Sequence, residues 1–452
     1  LMKILLVSHF FPPQRTAGAE QRALSYAREL QQRGHTVQML CAGDWETGAD
    51  QWNGFTDDVY EEVRVRRVNL NWTRADDPNR SLYDNKLVES SVDGWLGEWQ
   101  PDVVHIISLI TLGAGVVRAA KKQDLPVLFT LTDFWMICPK INLVRGDGSL
   151  CDGCTTDWDC LRCMLWNTRV YQGLKKFLPE KRVENLLSEA SHHAWLTRQR
   201  GLRGMALDMA DRRRVMVEIA KEIDCVTAPS THLARVMDSN GIFASPVRVI
   251  HSGHDLAWLN GSTKETTDDS IRFGYIGQLI PIKGVDALVE AFQYAAKEGN
   301  ASLSIYGNIE INPDYAASVQ AMASDGDPIQ FKGTFSREQL EQVLAGIDVL
   351  VVPSRWHENN PRVIQEAFAS KTPVIGANVG GIAEFIEHDV NGLLFQYDSV
   401  SDLQAQIERV LTEPGIIERL KSGIKSVKTI SEEMDEIEEL YRCLITTKNR
   451  RG

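Results

Sequence analysis

The chain has 452 residues, enough for two or three domains and for a core that needs no disulfide staples. Its hydrophobic fraction of 43% and charged fraction of 24% exclude a disordered, collagenous or coiled-coil chain, and no run approaches the ~20 apolar residues that span a bilayer. A net charge of −12 argues against a nucleic-acid partner, which needs a basic face. The opening run Leu1–Val7 is too short for a secretory signal. A cytoplasmic chain with reduced cysteines and without structural disulfides is expected.

Lys3–Ser8 reads as a buried strand, followed by a loop with Pro12 and Pro13. In Gly18–Arg33, Ala23, Leu24, Ala27 and Leu30 share one helical face, and Gly34 is placed to end the helix. Thr36–Cys41, Val63–Val68, Asp102–Ile107 and Pro126–Leu131 read as further strands, with helical patterns over 82–98 and 113–122. Strand–helix alternation of this kind predicts parallel strands covered by helices on both faces. The alternation breaks after Trp135 and resumes at Cys225–Ala228, so 136–222 reads as an insertion.

A second alternating unit begins at Ile271–Gly277, beyond a polar linker over 261–270. Its strands are expected at Ser302–Tyr306, Ile329–Phe331, Val349–Val352, Pro373–Gly376 and Gly392–Phe395. Ser336 and Gln339 form a capping box ahead of a helix over 337–345. Helices are predicted at 400–412, 415–428 and 432–446. The expected division is 1–245, carrying the insertion, then 246–430, then a C-terminal helix over 431–452 that packs back toward the first domain. Ligands of such sheets bind outside the carboxyl ends of the strands, here in a cleft between the two domains.

Three loops of the second unit carry chemistry. After Val349–Val352 comes Pro353-Ser354-Arg355-Trp356-His357-Glu358-Asn359-Asn360-Pro361, then a helix containing Glu366. Asn360 as cap and Pro361 at the first helical position predict where that helix begins, and its free amides suit a phosphate. Glu358 and Glu366 are spaced to bind hydroxyls at opposite ends of one ligand. Gly277-Gln278-Leu279-Ile280-Pro281-Ile282-Lys283-Gly284 opens another helix; its glycines admit a ligand and Lys283 supplies a point charge. Gly380-Gly381-Ile382-Ala383-Glu384 opens a third. Each loop alone also fits an ordinary solvated turn.

In order and spacing these segments resemble the retaining, nucleotide-sugar-dependent glycosyltransferases of family four, whose GT-B fold sets two Rossmann-like domains across a cleft. Glu358 to Glu366 is similar to that family's pair of glutamates, 277–284 to its phosphate loop, and Gly380–Glu384 followed by Asn391-Gly392-Leu393-Leu394-Phe395 to its closing motif. Ala17-Gly18-Ala19-Glu20, Pro101–His105 and Thr132-Asp133-Phe134-Trp135 resemble its first-domain motifs. The resemblance implies that Lys283 neutralises a leaving diphosphate and Glu366 holds ribose. It implies that Glu358, Asn359 and Asn360 hold the transferred sugar, with Gly277, Gln278 and Glu384 as accessory donor contacts. Gly18, Thr132 and Asp133 would lie on the acceptor side, Asp133 with Glu358 and Lys283 in the catalytic set. No protein nucleophile and no catalytic metal are implied. Gln278 stands where the family usually has arginine, and Thr132 where it often has histidine.

Five of the eight cysteines lie within the insertion: Cys138, Cys151, Cys154, Cys160 and Cys163. Two C-x-x-C pairs in a loop with no obvious core of its own predict that four of these five hold a structural zinc, with an iron–sulfur cluster as the alternative. The pairs favour the last four; the resemblance favours Cys138 in place of Cys154. Arg198, Arg200, Arg203, Arg212, Arg213 and Arg214, mixed with leucines and methionines, read either as a solvated helix face or as a peripheral contact with anionic membrane. Expected partners are a nucleotide-sugar donor and a saccharide or lipid-linked saccharide acceptor, in bacterial surface polysaccharide or glycoconjugate assembly. A weakly active binding subunit, or a nucleotide-sugar epimerase or hydrolase on the same fold, are the rival readings.

Overall fold

A computed structural model describes residues 1–15, 18–153, 156–191, 193, 206–259, 270–296, 300–323 and 326–450. The chain divides into two compact units, Leu1–His251 together with the segment from Ile430, and Ser252–Thr429.

In the first unit β1 (Lys3–Val7), β2 (Thr36–Ala42), β3 (Trp52–Tyr60), β4 (Val63–Leu70), β5 (Val103–Ile106), β6 (Val127–Thr130), β7 (Cys225–Ala228) and β8 (Arg248–Val249) form one sheet. Their order is β3-β4-β2-β1-β5-β6-β7-β8, parallel throughout except for β3 against β4. Along β1, Leu5 and Val7 join one apolar cluster and Ile4 and Leu6 the other, so both faces of the sheet are covered. The helix Gly18–Gln32 contributes Ala23, Leu24, Ala27 and Leu30 to the second cluster.

Strand β3 has no counterpart in the sequence reading. Its Asn53, Gly54, Asp57 and Asp58 are poor strand formers, and tertiary contacts override that propensity. Arg66 clasps Asp57, and Arg67 clasps Asp58 while donating to the carbonyls of Phe11 and Pro12.

The C-terminal helix Ile430–Asn449 lies on the first unit. Met434, Ile437 and Tyr441 enter the same cluster as the helix Gly18–Gln32, and burying an apolar side chain of this size stabilises by roughly 1.5–3 kcal/mol. A buried polar chain runs beneath it. Tyr441 Oη meets His105 Nδ1 at 2.6 Å, His105 Nε2 meets Thr130 Oγ1 at 2.8 Å, and Thr130 meets Thr227 at 2.8 Å. Tyr26 Oη donates to Glu433 at 2.5 Å, and Arg22 donates to the same oxygen at 3.1 Å.

The segment between β6 and β7 holds the helices Asp157–Leu165, Arg169–Phe177, Glu180–Ser191 and Ala206–Glu222. It does carry a small core of its own, built on Leu161, Leu165, Tyr171, Val183 and Leu187. Of the arginines expected on one exposed helix face, Arg213 and Arg214 are exposed and Arg212 is corrected. Arg212 is buried and donates to the Trp135 carbonyl, Arg213 pairs with Asp157, and Arg214 pairs with Asp211 and Glu218. These cations are spent inside the chain, and Arg198, Arg200 and Arg203 lie outside the described residues. Among the described residues no helix is long and apolar enough to cross a membrane.

The second unit pairs β9 (Ile271–Ile276), β10 (Ala301–Tyr306), β11 (Ile329–Gly333), β12 (Val349–Val352), β13 (Val374–Ala377) and β14 (Gly392–Phe395) in the order β11-β10-β9-β12-β13-β14. Every pairing is parallel. The helix Pro313–Met322 escaped the sequence reading because it buries only Ala316 and Val319, although Asn312 caps it through Tyr315 N at 3.2 Å. The helix expected over 415–428 spans Ile416–Gly423. A Cβ at Gly423 would lie 2.0 Å from the Val390 carbonyl, so glycine is demanded where the helix stops.

Candidate functional site

The three loops singled out in the sequence follow β9, β12 and β13, at the carboxyl ends of neighbouring strands. Parallel strands bring such loops to one edge of the sheet. Arg355 N donates to the Ile282 carbonyl at 2.8 Å, tying the loop after β12 to the loop after β9. Gly284 sits at φ +68°, and a Cβ there would meet the Pro353 carbonyl at 2.1 Å. Gly381 N donates to the Glu358 carbonyl at 2.6 Å, and a Cβ on Gly381 would meet that same oxygen at 2.6 Å. Close backbone approach, not flexibility, requires these two glycines.

Glu358 is buried, and three donors converge on its Oε1: Lys283 Nζ at 2.5 Å, Trp356 Nε1 at 2.8 Å and Ser354 Oγ at 2.9 Å. The Lys283 ammonium also lies 5.1 Å from the Trp356 ring centroid. Glu366 repeats the pattern on the helix Arg362–Ala369. Arg337 Nη1 donates to its Oε1 at 2.5 Å, and Arg362 approaches the same oxygen at 3.6 Å. Among the described residues, Oε2 of each glutamate has no hydrogen-bond partner. Each carboxylate is therefore fixed in place by one oxygen and keeps an acceptor for hydroxyls with the other. Lys283 uses one of its three N–H groups and retains two.

The helix after Glu358 begins at Arg362, one residue later than expected, with Pro361 in the cap position and no side-chain cap. Its first amides remain uncapped, and the Asn360 Oδ1 is buried without a partner among the described residues. Asn359 is buried beside it. Gly277 packs against the Tyr275 hydroxyl, whose proton goes to the Gln278 carbonyl at 2.8 Å, leaving the Gln278 side chain exposed. Glu384 lies in the short helix Ile382–Phe385 that follows the Gly380-Gly381 turn. Sequence reasoning missed Ser354, Trp356 and Arg337. The first two were visible as polar neighbours of Glu358, whereas Arg337 lies 29 residues from Glu366 and only tertiary structure joins them.

Residues 262–427 match the family Glycosyl transferases group 1, and residues 17–171 match the Glycosyl transferase 4-like domain. The chain belongs to the family 4 glycosyltransferases of GT-B fold. It is 24% identical over 434 residues to a GDP-mannose-dependent alpha-mannosyltransferase of Corynebacterium glutamicum, covering 94% of this chain and 85% of that one. It is 29% identical over 158 residues to an uncharacterized glycosyltransferase of Methanocaldococcus jannaschii, covering 35% of this chain and only 40% of that protein's length. Among solved structures, sucrose-phosphate synthase from Thermosynechococcus elongatus aligns with a TM-score of 0.65 at 18% identity, over 99% of this chain and 100% of that one. The Anabaena protein HepE, in complex with UDP and glucose, aligns at 0.63 and 16%, over 97% and 99%.

The first unit carries the remaining expected residues. Gly18 starts its helix with nothing within 4 Å of an added Cβ, so no contact among the described residues demands glycine there. Asp133 accepts from Trp135 N at 2.7 Å through Oδ1 and from Thr132 Oγ1 at 3.3 Å through Oδ2. Burial holds its carboxyl above the usual range, against those hydrogen bonds and the charge of nearby His9. Glu20, which the sequence showed only as part of a glycine-rich loop, is buried in a 3.1 Å pair with His9. Burial pushes the Glu20 carboxyl up, but His9 outweighs it and the group ends below its ordinary value.

The cysteines are only partly brought together. Cys138, Cys151, Cys160 and Cys163 line one cavity of 220 Å³. Cys138, Cys151 and Cys163 are free thiols, and burial raises the pKa of Cys138 and Cys163. Cys160 is disulfide-bonded, which corrects the expectation of a fully reduced set. Cys154 lies outside the described residues. Among the described residues no three His, Cys, Asp or Glu side chains are grouped so as to hold a metal ion.

Proposed function

We propose that the chain transfers a sugar from a nucleotide diphosphate sugar to an acceptor hydroxyl with retention of configuration. The observation that carries this reading is the pair of glutamates, each pinned through Oε1 and open at Oε2, in the loop and the helix that follow β12. Two such acceptors suit the hydroxyls of a sugar at Glu358 and of a ribose at Glu366. Lys283, with two N–H groups to spare, and the uncapped amides after Pro361 suit the diphosphate that joins them. The GDP-mannose dependence of one relative and the UDP complex of one structural neighbour support a donor of this class.

In the reaction the bond from the sugar's anomeric carbon to the diphosphate breaks, and the negative charge grows on the leaving oxygen. Lys283 stabilises that charge. The acceptor hydroxyl attacks from the face the diphosphate leaves, gives its proton to the leaving phosphate oxygen, and forms the new glycosidic bond with the original configuration. Asp133, Thr132 and Gly18 are the acceptor-side residues of this reading.

The test uses water as acceptor and proton NMR of the anomeric signal. With an α-linked nucleotide sugar, the first sugar released should be the α anomer, and Glu358→Gln should abolish its release. Release of the β anomer first would overturn retention. A new epimer still attached to the nucleotide would replace the transferase reading with an epimerase.

A further inference from the structure

If the chain takes a nucleotide sugar, Glu358, Lys283 and Glu366 mark the places of sugar, diphosphate and ribose, and the role of Arg337 rests on that assignment. The next group along such a donor is the base. The cations at Glu366 are Arg337 and Arg362, and Arg337 holds it the more closely, at 2.5 Å against 3.6 Å.

Arg337 opens the short turn Arg337–Gln339, which the Ser336–Gln339 capping box holds in place. Its Nη1 donates to Glu366 at 2.5 Å, its guanidinium lies 5.6 Å from the Trp258 ring centroid, and its Nη2 reaches the Asp255 carbonyl only at 3.5 Å. Glu366 and Trp258 are buried, whereas the Arg337 side chain is 41% exposed. The guanidinium is thus held from below by a carboxylate and an indole and keeps an open edge. A guanidinium carries five N–H donors in one plane, and a single short hydrogen bond leaves most of them unused. It also supplies, at the nucleoside end, a cation that Gln278 does not supply at the phosphate loop.

We infer that Arg337 reads the base of the donor, and that this base is guanine. Two parallel N–H groups need two adjacent acceptors. Guanine offers them as O6 and N7, whereas adenine sets a donor beside N7 and uracil offers O4 with no second acceptor next to it. Glu366 then serves twice: Oε1 orients the guanidinium, and Oε2 takes the ribose hydroxyls.

The experiment is calorimetric titration of GDP, UDP and ADP into the full chain and into Arg337→Ala, Arg337→Lys and Lys283→Ala, each checked for an unchanged melting curve without ligand. The wild-type chain should bind GDP about 5- to 150-fold more tightly than UDP or ADP, the range one bidentate contact supplies. Arg337→Ala should erase that preference, and because it also frees Glu366 Oε1 it should weaken all three nucleotides, GDP the most. Arg337→Lys, which keeps the charge but not the fork, should behave like the alanine variant. Lys283→Ala should weaken all three nucleotides alike. Equal affinities in the wild type, or a guanine preference that survives in Arg337→Ala, would overturn the inference and leave the nucleotide-sugar reading standing. Binding of none of the three by folded wild-type chain would overturn both.

Discussion

Two buried polar clusters in this chain look alike in composition and differ in what they leave unsatisfied. Beneath the C-terminal helix, both ring nitrogens of His105 are engaged, one by Tyr441 and one by Thr130, and Thr130 passes the chain on to Thr227. In the second unit, Glu358 and Glu366 gather every donor on one oxygen and leave the other open. A polar group closed on all sides specifies packing, while one closed on a single side is rigid and still has an acceptor to offer. The first cluster reads as structure and the second as a site.

If that distinction holds, substitutions in the two clusters should fail in different ways. The largest effect belongs to the site. Lys283→Ala should lower the rate of donor cleavage by about 10²–10³, since it removes a donor aimed at developing charge, with the melting temperature little changed. Glu366→Gln should come next, weakening nucleotide binding by roughly 10- to 100-fold through loss of charge-assisted hydrogen bonds to ribose. Calorimetry checks the binding and a melting curve checks the fold. A variant of either residue that melts far below the wild type while binding normally would erase the contrast.

The structural cluster should show the reverse. His105 is held neutral by burial, with its pKa lowered from 6.5 to about 3. Between those values the unfolded chain takes up a proton that the folded chain refuses. This group therefore removes stability as pH falls below about 6.5, by at most roughly 1.4 kcal/mol per pH unit, and the loss is complete near pH 3. Urea unfolding at pH 7, 5 and 4 should show this slope in the wild type and a shallower one in His105→Gln. Tyr441→Phe should cost about 1–3 kcal/mol of stability, by leaving a buried nitrogen of His105 without its partner, and should leave nucleotide affinity intact. The smallest effect is in the thiols. Exposed Cys443 should alkylate before Cys138, whose thiol burial pushes up, and mass spectrometry of a short iodoacetamide time course reads the order.

Both alternating units were legible in the sequence because buried parallel strands are written as short β-branched runs, as in Val349–Val352. The glutamate pair and Lys283 were legible because loop, strand and helix start are local. Strand β3 was not, since Asp57 and Asp58 make sense in a strand only once Arg66 and Arg67 lie opposite them. Arg337 was invisible as a partner of Glu366 for the same reason: a contact between distant loops leaves no trace in spacing. The cysteines were legible as a group: Cys138, Cys151, Cys160 and Cys163 line one cavity, although Cys138 lies outside both C-x-x-C pairs and only the fold brings it to the others.

The measurement that tests the central claim most directly is a thermal melt of the full chain with and without saturating nucleoside diphosphates. A ligand at 100 times its dissociation constant stabilises the fold by about 2.7 kcal/mol. The account predicts a raised melting temperature with at least one nucleotide, reduced in Glu366→Gln and abolished in Lys283→Ala. An unchanged melt with every nucleotide, or a shift that survives both substitutions, would contradict it.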